Sequence, residues 1–502
     1  MPQNLTVIVL AAGGGTRMKS KTMKVLHPIG GRSMIGHVLS AVQAVEPRHI
    51  VAVVGHQREQ VGPHIEALVP GVVLAVQETQ EGTGHAVRVA VEAAGTIEGT
   101  VIVAAGDTPL LDGDSLRAFA ADHEAAQRAV SILSGVVPNP TGYGRVLRND
   151  EGDVEAIVEE KDATPEQRAI CEINSGILAF DAEFLLHALP RISNDNAKGE
   201  YYLTDAIGIA REDGLTVGAF PIDDVMQTEG ANDRAQLAEL GRELNRRIVD
   251  RWMREGVTVM DPATTWIDAD VVLAPDVTIL PGTQLLGATV VAEDAVIGPD
   301  CTLKDCEIGQ GARVVRTHGE LAVIGAGADV GPFSYLRPGT RLGAGGKIGG
   351  FVETKNAQIG EGAKVPHLSY VGDAAIGEGT NIGAGTIFAN YDGVRKHRTT
   401  IGRHARTASN NTFVAPVTVG DGAATGAGTV VRRDVPPGAL AVSGGPQRNL
   451  EGWALSKRAG TPQAAAAEAA LAANGTLVTG EAQPASEGTP EVGSTPPGEG
   501  ES

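Results

Sequence analysis

The chain has 502 residues, long enough for two or three domains that each bury a full core. Its 41 Lys+Arg against 61 Asp+Glu give a formal net charge of −20, which argues against a general binder of nucleic acid or anionic membranes and leaves room only for local basic pockets. The three cysteines, Cys171, Cys301 and Cys306, lack CxxC spacing, the N-terminus lacks a signal-peptide pattern, and no run reaches eighteen apolar residues. The expectation is a cytoplasmic protein without a disulfide framework, zinc site, nucleic-acid partner or membrane partner.

From Leu5 to about residue 230, β-branched runs alternate with helical patterns: LTVIVLAA (5–12), IVAVVG (50–55), VVLAVQ (72–77) and TVIVAAGD (100–107). This alternation predicts a mainly parallel sheet covered on both faces, with ligand loops at the carboxyl ends of its strands. The first run enters Gly13, Gly14 and Gly15, followed by Thr16, Arg17 and, in KTMKVLH, Lys24. The stretch matches neither the dinucleotide fingerprint G-x-G-x-x-G nor the loop G-x-x-x-x-G-K-[ST]. A simple chain reversal is the plain alternative; backbone N–H groups with two nearby cations also suit a triphosphate. Asp107 ends the fourth run, where an Asp taken alone is more often a cap or turn residue than a metal ligand.

In NDRAQLAELGRELNRRIVDRWMREG, Leu237, Leu240, Leu244, Ile248 and Trp252 recur at three- and four-residue steps, which predicts an amphipathic helix between domains. Beyond about residue 265, Ile324-Gly, Val330-Gly, Leu336, Leu342-Gly and Ile348-Gly fall six apart, and Ile359, Val365, Val371, Ile376 and Ile382 continue the theme with slips. One aliphatic beside a small residue in every six is the signature of a parallel β-helix, three hexapeptides to a triangular coil. This accounts for 66 glycines and only 3% aromatics in a chain of ordinary 42% hydrophobic content. The slips at Lys355 to Gln358 and Asn390 to Thr400 predict surface loops. From Ala459 the sequence holds six Glu and no Lys or Arg among Ala, Gly, Pro, Ser and Thr, which reads as a disordered tail with a short Ala-rich helix at 463–473.

LAAGGGTRM followed by MKVLH resembles the sugar-1-phosphate nucleotidyltransferases, whose signature is approximately L-x-x-G-x-G-T-R-M and then P-K; Met23 stands where proline is usual. By that resemblance Leu10, Ala11, Ala12, Gly13 and Lys24 hold UTP, and Gln77, Gly82 and Thr83 of QETQEGTGHAV read the uracil ring. Gly144 in PTGYGRV, Glu159 in IVEEKDA, Asn174 in EINSGI and Asn232 in EGANDR match, in order, the sugar-binding and second metal-ligand positions. Mg2+ is implied on Asp107 and Asn232, with Arg17 and Lys24 as the catalytic cations that offset charge on the triphosphate and departing pyrophosphate.

The repeats carry a second polar cluster: YLRPGT (Arg337), GFVETKNA (Glu353, Lys355), VPHLSYVGD (His367, Tyr370), GEGTNIGAGT (Asn381) and NYDGVRKHRTTIG (Asn390, Tyr391). With the N-terminal half, these closely resemble the bacterial bifunctional N-acetylglucosamine-1-phosphate uridylyltransferase and glucosamine-1-phosphate acetyltransferase family, from about residue 5 to 455. The resemblance implies an α/β chain with a Rossmann-like nucleotidyltransferase domain at 1–233, a linker helix at 234–256, a left-handed parallel β-helix acetyltransferase domain at 257–458 and a disordered tail at 459–502. It implies His367 as general base, which suits a side chain titrating near neutrality. Arg337 and Lys355 clamp the sugar phosphate, Tyr370 and Asn381 hold the sugar or phosphate, and Glu353 orients the base or amine. Asn390 and Tyr391, with Ala384, Ser409 and Ala427, line the acetyl-CoA site. Gly444 replaces a basic residue common near the CoA phosphates, leaving Arg448 or Arg432 and Arg433 as substitutes. A homotrimer with sites between neighbouring β-helices is implied, as is a role in cell-wall biogenesis, peptidoglycan synthesis and cell shape. A monofunctional enzyme with a regulatory β-helix and a silent assembly subunit are the competing readings.

Overall fold

The computed structural model describes residues 4–473 apart from 56, 197, 446 and 448. The four expected runs form strands Leu5–Leu10, His49–Val54, Val73–Val76 and Thr100–Ala105. From one edge, the sheet order is Val217–Pro221, Val130–Val136, Glu172–Asp181, Thr100–Ala105, Leu5–Leu10, His49–Val54 and Val73–Val76. Neighbours are parallel except around Glu172–Asp181, which is antiparallel to both its neighbours and pairs with the hairpin of Gly144–Arg148 and Val154–Val158. Strands covered on both faces read as unbroken apolar runs. Accordingly Ile8 packs with Val101, Val103 and Phe180 on one face, while Val7 and Val9 pack with Ile102 and Phe119 on the other. The chain leaves the central Leu5–Leu10 strand toward one edge and returns beside it at Thr100–Ala105. The loops after these two strands therefore border the crevice where the winding direction changes.

The linker helix spans Arg234–Arg254, and the Asp233 carboxylate caps it by accepting from the N–H groups of Ala235 and Gln236, both at 2.9 Å. Its first half packs Leu240 with Met18, Ile29, Met34 and Leu110; its second half sends Ile248, Val249 and Trp252 into the core of the repeats. Asn245 seals this join. Its amide donates to Thr265 O at 2.8 Å and accepts from Ile267 N at 2.9 Å, so a buried polar group is satisfied on both sides.

The repeats wind as a parallel β-helix. Trp266 pairs with Gln284 and Gln284 with Thr302, Val272 pairs with Val290 and Thr278 with Val296, each step advancing 18 residues along a separate face. Ile267, Leu273, Ile279, Leu285, Val291 and Ile297 fill the interior at six-residue spacing, and Cys301 and Cys306 occupy small interior positions, where burial pushes their thiols up. The loop expected at Lys355 to Gln358 does not form. Glu353–Ile359 is one continuous strand, with Lys355 opposite Gly372 and Gln358 opposite Ala375. The slip in period is instead taken up at a corner, where Asn356 (φ 45°) and Asp373 (φ 47°) adopt the left-handed conformation that these short side chains tolerate. The second slip is a true excursion: the ladder step from Ile387 to Thr412 spans 25 residues, and the extra chain leaves between strands Ile387–Ala389 and Thr399–Ile401.

Residues from 444 onward form a separate unit whose described part holds helices Trp453–Lys457 and Pro462–Ala473. The Ala-rich helix thus forms within the stretch expected to be disordered from 459, and residues 474–502 lie outside the described residues. No helix among the described residues is long and apolar enough to cross a membrane.

Two candidate active sites

The loops at the crevice border a cleft of about 550 Å3 whose wall includes Leu10, Ala12, Gly13, Lys24, Gln77, Gly82, Thr83, Asp107, Glu159 and Asn174. Lys24 Nζ bonds Asn232 Oδ1 at 3.1 Å and pairs with the Asp107 carboxylate, while Arg17 Nη2 donates to the same Asn232 Oδ1 at 2.9 Å. Two cations and two oxygen donors from distant segments thus converge. The oxygens of Asp107 and Asn232 already share one cation, the Lys24 ammonium, so this oxygen pair would fit a hard divalent cation. Ala11 stands behind the cleft: its side chain is buried and its N–H donates to Val53 O at 2.8 Å.

Glycine is required at one position of the loop. Gly15 has φ 57°, and a Cβ there would lie 2.5 Å from Lys24 Cβ, whereas Gly13 and Gly14 face open space. At Met23 the backbone keeps a path that a proline could also take into Lys24. Met23 is buried with φ −59° and ψ 144°, inside the range a proline would impose.

Along the cleft wall, Gln77 Nε2 donates to Gly82 O at 3.2 Å, and Thr83 Oγ1 accepts from Leu203 N at 3.1 Å. Elsewhere in the same region, Gly144 pairs in register with Asn174, and a Cβ on Gly144 would meet Glu159 Oε1 at 3.4 Å. Buried Arg145 holds Glu160 at 2.6 Å, which keeps that carboxyl below its usual range, and Tyr143 donates to Glu229 at 2.5 Å. Sequence reasoning missed Gln80, Lys198, Glu200, Tyr202 and Thr204 on the cleft wall. The signal for the last three was GEYYLTD, a polar and aromatic cluster outside any periodic run.

In the repeat domain the ladders assign each residue a face. Tyr335, Glu353, Tyr370 and Ile387 form one column, and the next carries Arg337, Lys355 and Gly372. Arg337 Nη1 donates to Glu353 Oε1 at 2.9 Å. The Lys396 ammonium beside Lys355, with Arg337 also near, pushes the Lys355 pKa down, so positive charge gathers on this surface. Lys396 arrives on the excursion, whose turn Asp392 holds by accepting from Val394 N at 2.7 Å, Arg395 N at 2.6 Å and His397 Nε2 at 2.6 Å. These contacts keep Asp392 well below the carboxylate range. Asn390 Nδ2 bonds Asp373 at 2.6 Å and reaches Tyr370 OH at 3.5 Å, and Tyr391 is exposed with its OH on Gly393 O at 2.7 Å.

The exposed His367 begins a column of small residues along the adjoining corner. Gly385 N donates to His367 O, Asn410 N to Ala384 O and Gly428 N to Ser409 O, so Ala384, Ser409 and Ala427 follow His367 one coil at a time. Asn381 is not brought to the Arg337–Tyr370 cluster; it stands one face away, between Lys364 and Arg406. Arg432 and Arg433 are exposed, and Arg448 lies outside the described residues.

A family model described as a MobA-like NTP transferase domain matches residues 7–166. The chain is 59% identical to the bifunctional protein GlmU of Rhodococcus opacus, over 94% of this chain and 96% of that one. It is 58% identical to that of Corynebacterium jeikeium, over 93% and 96%, and 59% identical to that of Kineococcus radiotolerans, over 92% and 94%. The chain belongs to the bifunctional GlmU family. Membership covers both halves, so the nucleotidyltransferase cleft and the repeat-domain cluster are parts of one GlmU architecture. The reading of the β-helix as an added regulatory module loses its basis.

Proposed function

We propose that this GlmU family member makes UDP-N-acetylglucosamine in two steps. In the β-helix, the amine of glucosamine 1-phosphate attacks the acetyl-CoA thioester carbon; His367 takes the amine proton, and the CoA thiol leaves. Arg337, Lys355 and Lys396 seat the 1-phosphate by charge, and Glu353, paired with Arg337, fixes that cation's direction. The small-residue column of Ala384, Ser409 and Ala427 leaves a smooth path for the long cofactor beside His367, flanked by Asn390 and Tyr391. A homotrimer would set a neighbouring chain's face against the cluster, so Asn381 serves a site shared between copies.

In the cleft, the phosphate oxygen of N-acetylglucosamine 1-phosphate attacks the α-phosphorus of UTP in line, and pyrophosphate leaves. The nucleophile is already anionic, so no side-chain base is needed; the residues position and neutralise. Lys24 and Arg17 offset charge on the triphosphate and leaving group. Gln77, Gly82 and Thr83 hold the base, and Gly144, Glu159 and Asn174 hold the sugar. Mg2+ bound by Asp107 and Asn232 supplies further charge neutralisation. The cytoplasm, where both co-substrates are made, is the proposed compartment.

The observation that carries the reading is that one chain holds both the Lys24–Asp107–Asn232 convergence and the small-residue column behind His367. Glucosamine 1-phosphate, acetyl-CoA, UTP and Mg2+ are mixed with the enzyme and the products read by mass spectrometry. UDP-N-acetylglucosamine with equal yields of thiol and pyrophosphate is expected. Absence of thiol overturns the acetyl-transfer half, and absence of pyrophosphate when N-acetylglucosamine 1-phosphate is supplied directly overturns the uridylyl-transfer half.

A further inference from the structure

We propose that His85 is a positioning residue that fixes the amide of Gln77 so that the cleft selects uracil over cytosine; this rests on Gln77 being the base reader, as proposed above. Gln77 is only 4% exposed and forms part of the cleft wall. Its Nε2 lies 3.2 Å from Gly82 O and 3.3 Å from His85 Nδ1. An amide nitrogen only donates, so His85 Nδ1 accepts, and the imidazole is neutral with its proton on Nε2. Both N–H groups of Gln77 are then used inside the protein. The group it offers a base is Oε1, an acceptor. Uracil presents an N–H at N3 and satisfies it; cytosine presents an acceptor there, leaving two buried acceptors face to face.

The second partner of the amide is immovable. Gly82 has φ 106°, a Cβ on it would lie 2.5 Å from Tyr201 O, and the segment is pinned by Tyr201 N on Glu81 O at 2.7 Å and Gly84 N on Tyr201 O at 2.8 Å. His85 therefore completes a two-sided hold on an amide that Gly82 alone would leave half-satisfied. The imidazole comes from the first turn of helix Thr83–Ala94. Facing it are Glu81, whose Oε2 is 3.8 Å from Nδ1, and the Tyr201 ring at 6.5 Å between centroids, with the Arg88 guanidinium 5.1 Å over that ring.

The test measures kcat/KM for UTP and CTP in the full-length enzyme, His85→Phe and His85→Gln, with acetyl transfer by the same preparations as the folding control. The UTP/CTP ratio is expected to fall about tenfold in His85→Phe, the size of one lost hydrogen bond. His85→Gln keeps an acceptor on the same side of the amide, so its ratio should be retained. An unchanged ratio in His85→Phe with acetyl transfer intact overturns the proposal. Should His85→Phe lose acetyl transfer too, a UTP/CTP ratio in His85→Gln that falls as far as in Gln77→Ala overturns it instead. Gln77→Ala separates the two levels: if it also leaves the ratio unchanged, the base-reading assignment has failed, whereas a change there and none in His85→Phe refutes the role of His85 alone.

Discussion

Gly15→Ala tests whether the glycine loop acts by presenting Lys24. At φ 57° a non-glycine residue costs about 1–2 kcal/mol of backbone energy. The larger effect is steric. The new Cβ would stand 2.5 Å from Lys24 Cβ, well inside normal carbon contact, and neither atom is the free end of a flexible chain. Relief requires a shift of roughly 1 Å in the Lys24 stem, and a misplacement of that size in a charge-stabilising group costs on the order of 10²-fold in rate. Pyrophosphate release from UTP and N-acetylglucosamine 1-phosphate should therefore fall by about that factor, while thiol release from acetyl-CoA by the same preparation stays at the wild-type rate. Gly14→Ala is the control, since nothing lies within 4 Å of its Cβ position. Retention of uridylyl transfer within about twofold in Gly15→Ala, or an equal loss in Gly14→Ala, would refute the reasoning.

Asp107→Ala should abolish pyrophosphate release and spare thiol release, and His367→Ala should do the reverse; parallel losses in either variant contradict independent sites. Phe388 is buried and packs at a tilt against Phe413, 5.2 Å between ring centroids, two residues before the excursion that carries Lys396. Phe388→Ala should cost about 3–5 kcal/mol by denaturant unfolding and lower acetyl transfer ahead of uridylyl transfer. Burial, and next the Arg128 charge, lower the pKa of His123 to about 4 from its ordinary value of 6.5. Above that ordinary value it is neutral in both states and contributes nothing to pH dependence. Below it the unfolded chain binds the proton and the native state does not, so stability should decline by roughly 3 kcal/mol between pH 6.5 and about 4 and then level off. His123→Gln should flatten that decline in thermal scans, and an unaltered slope would count against it.

Much of the fold was legible because it is periodic. Six-residue spacing dictates a β-helix once one aliphatic per face must be buried, and the Leu237–Trp252 stripe dictates a helix with one apolar side. The misreading at Lys355 to Gln358 has a physical cause: a lost residue at a corner and a loop break the period in the same way. Only the left-handed backbone of Asn356 and Asp373 distinguishes them. The cleft was legible where a residue sits in a motif, as with Lys24, and illegible where the wall comes from the 198–204 segment, which has no pattern and is delivered by chain path.

The sequence by itself therefore determined the element types, the two-domain order and the chemistry available, since these follow from hydrophobic period and residue type. Tertiary structure decided the convergence. It joined Lys24 and Arg17 to Asn232 across some two hundred residues and lined Ala384, Ser409 and Ala427 up behind His367. It set Asn381 on another face and placed His85 against Gln77. Those relations depend on strand order and coil register, which are properties of long-range pairing and are carried by no local stretch of the chain.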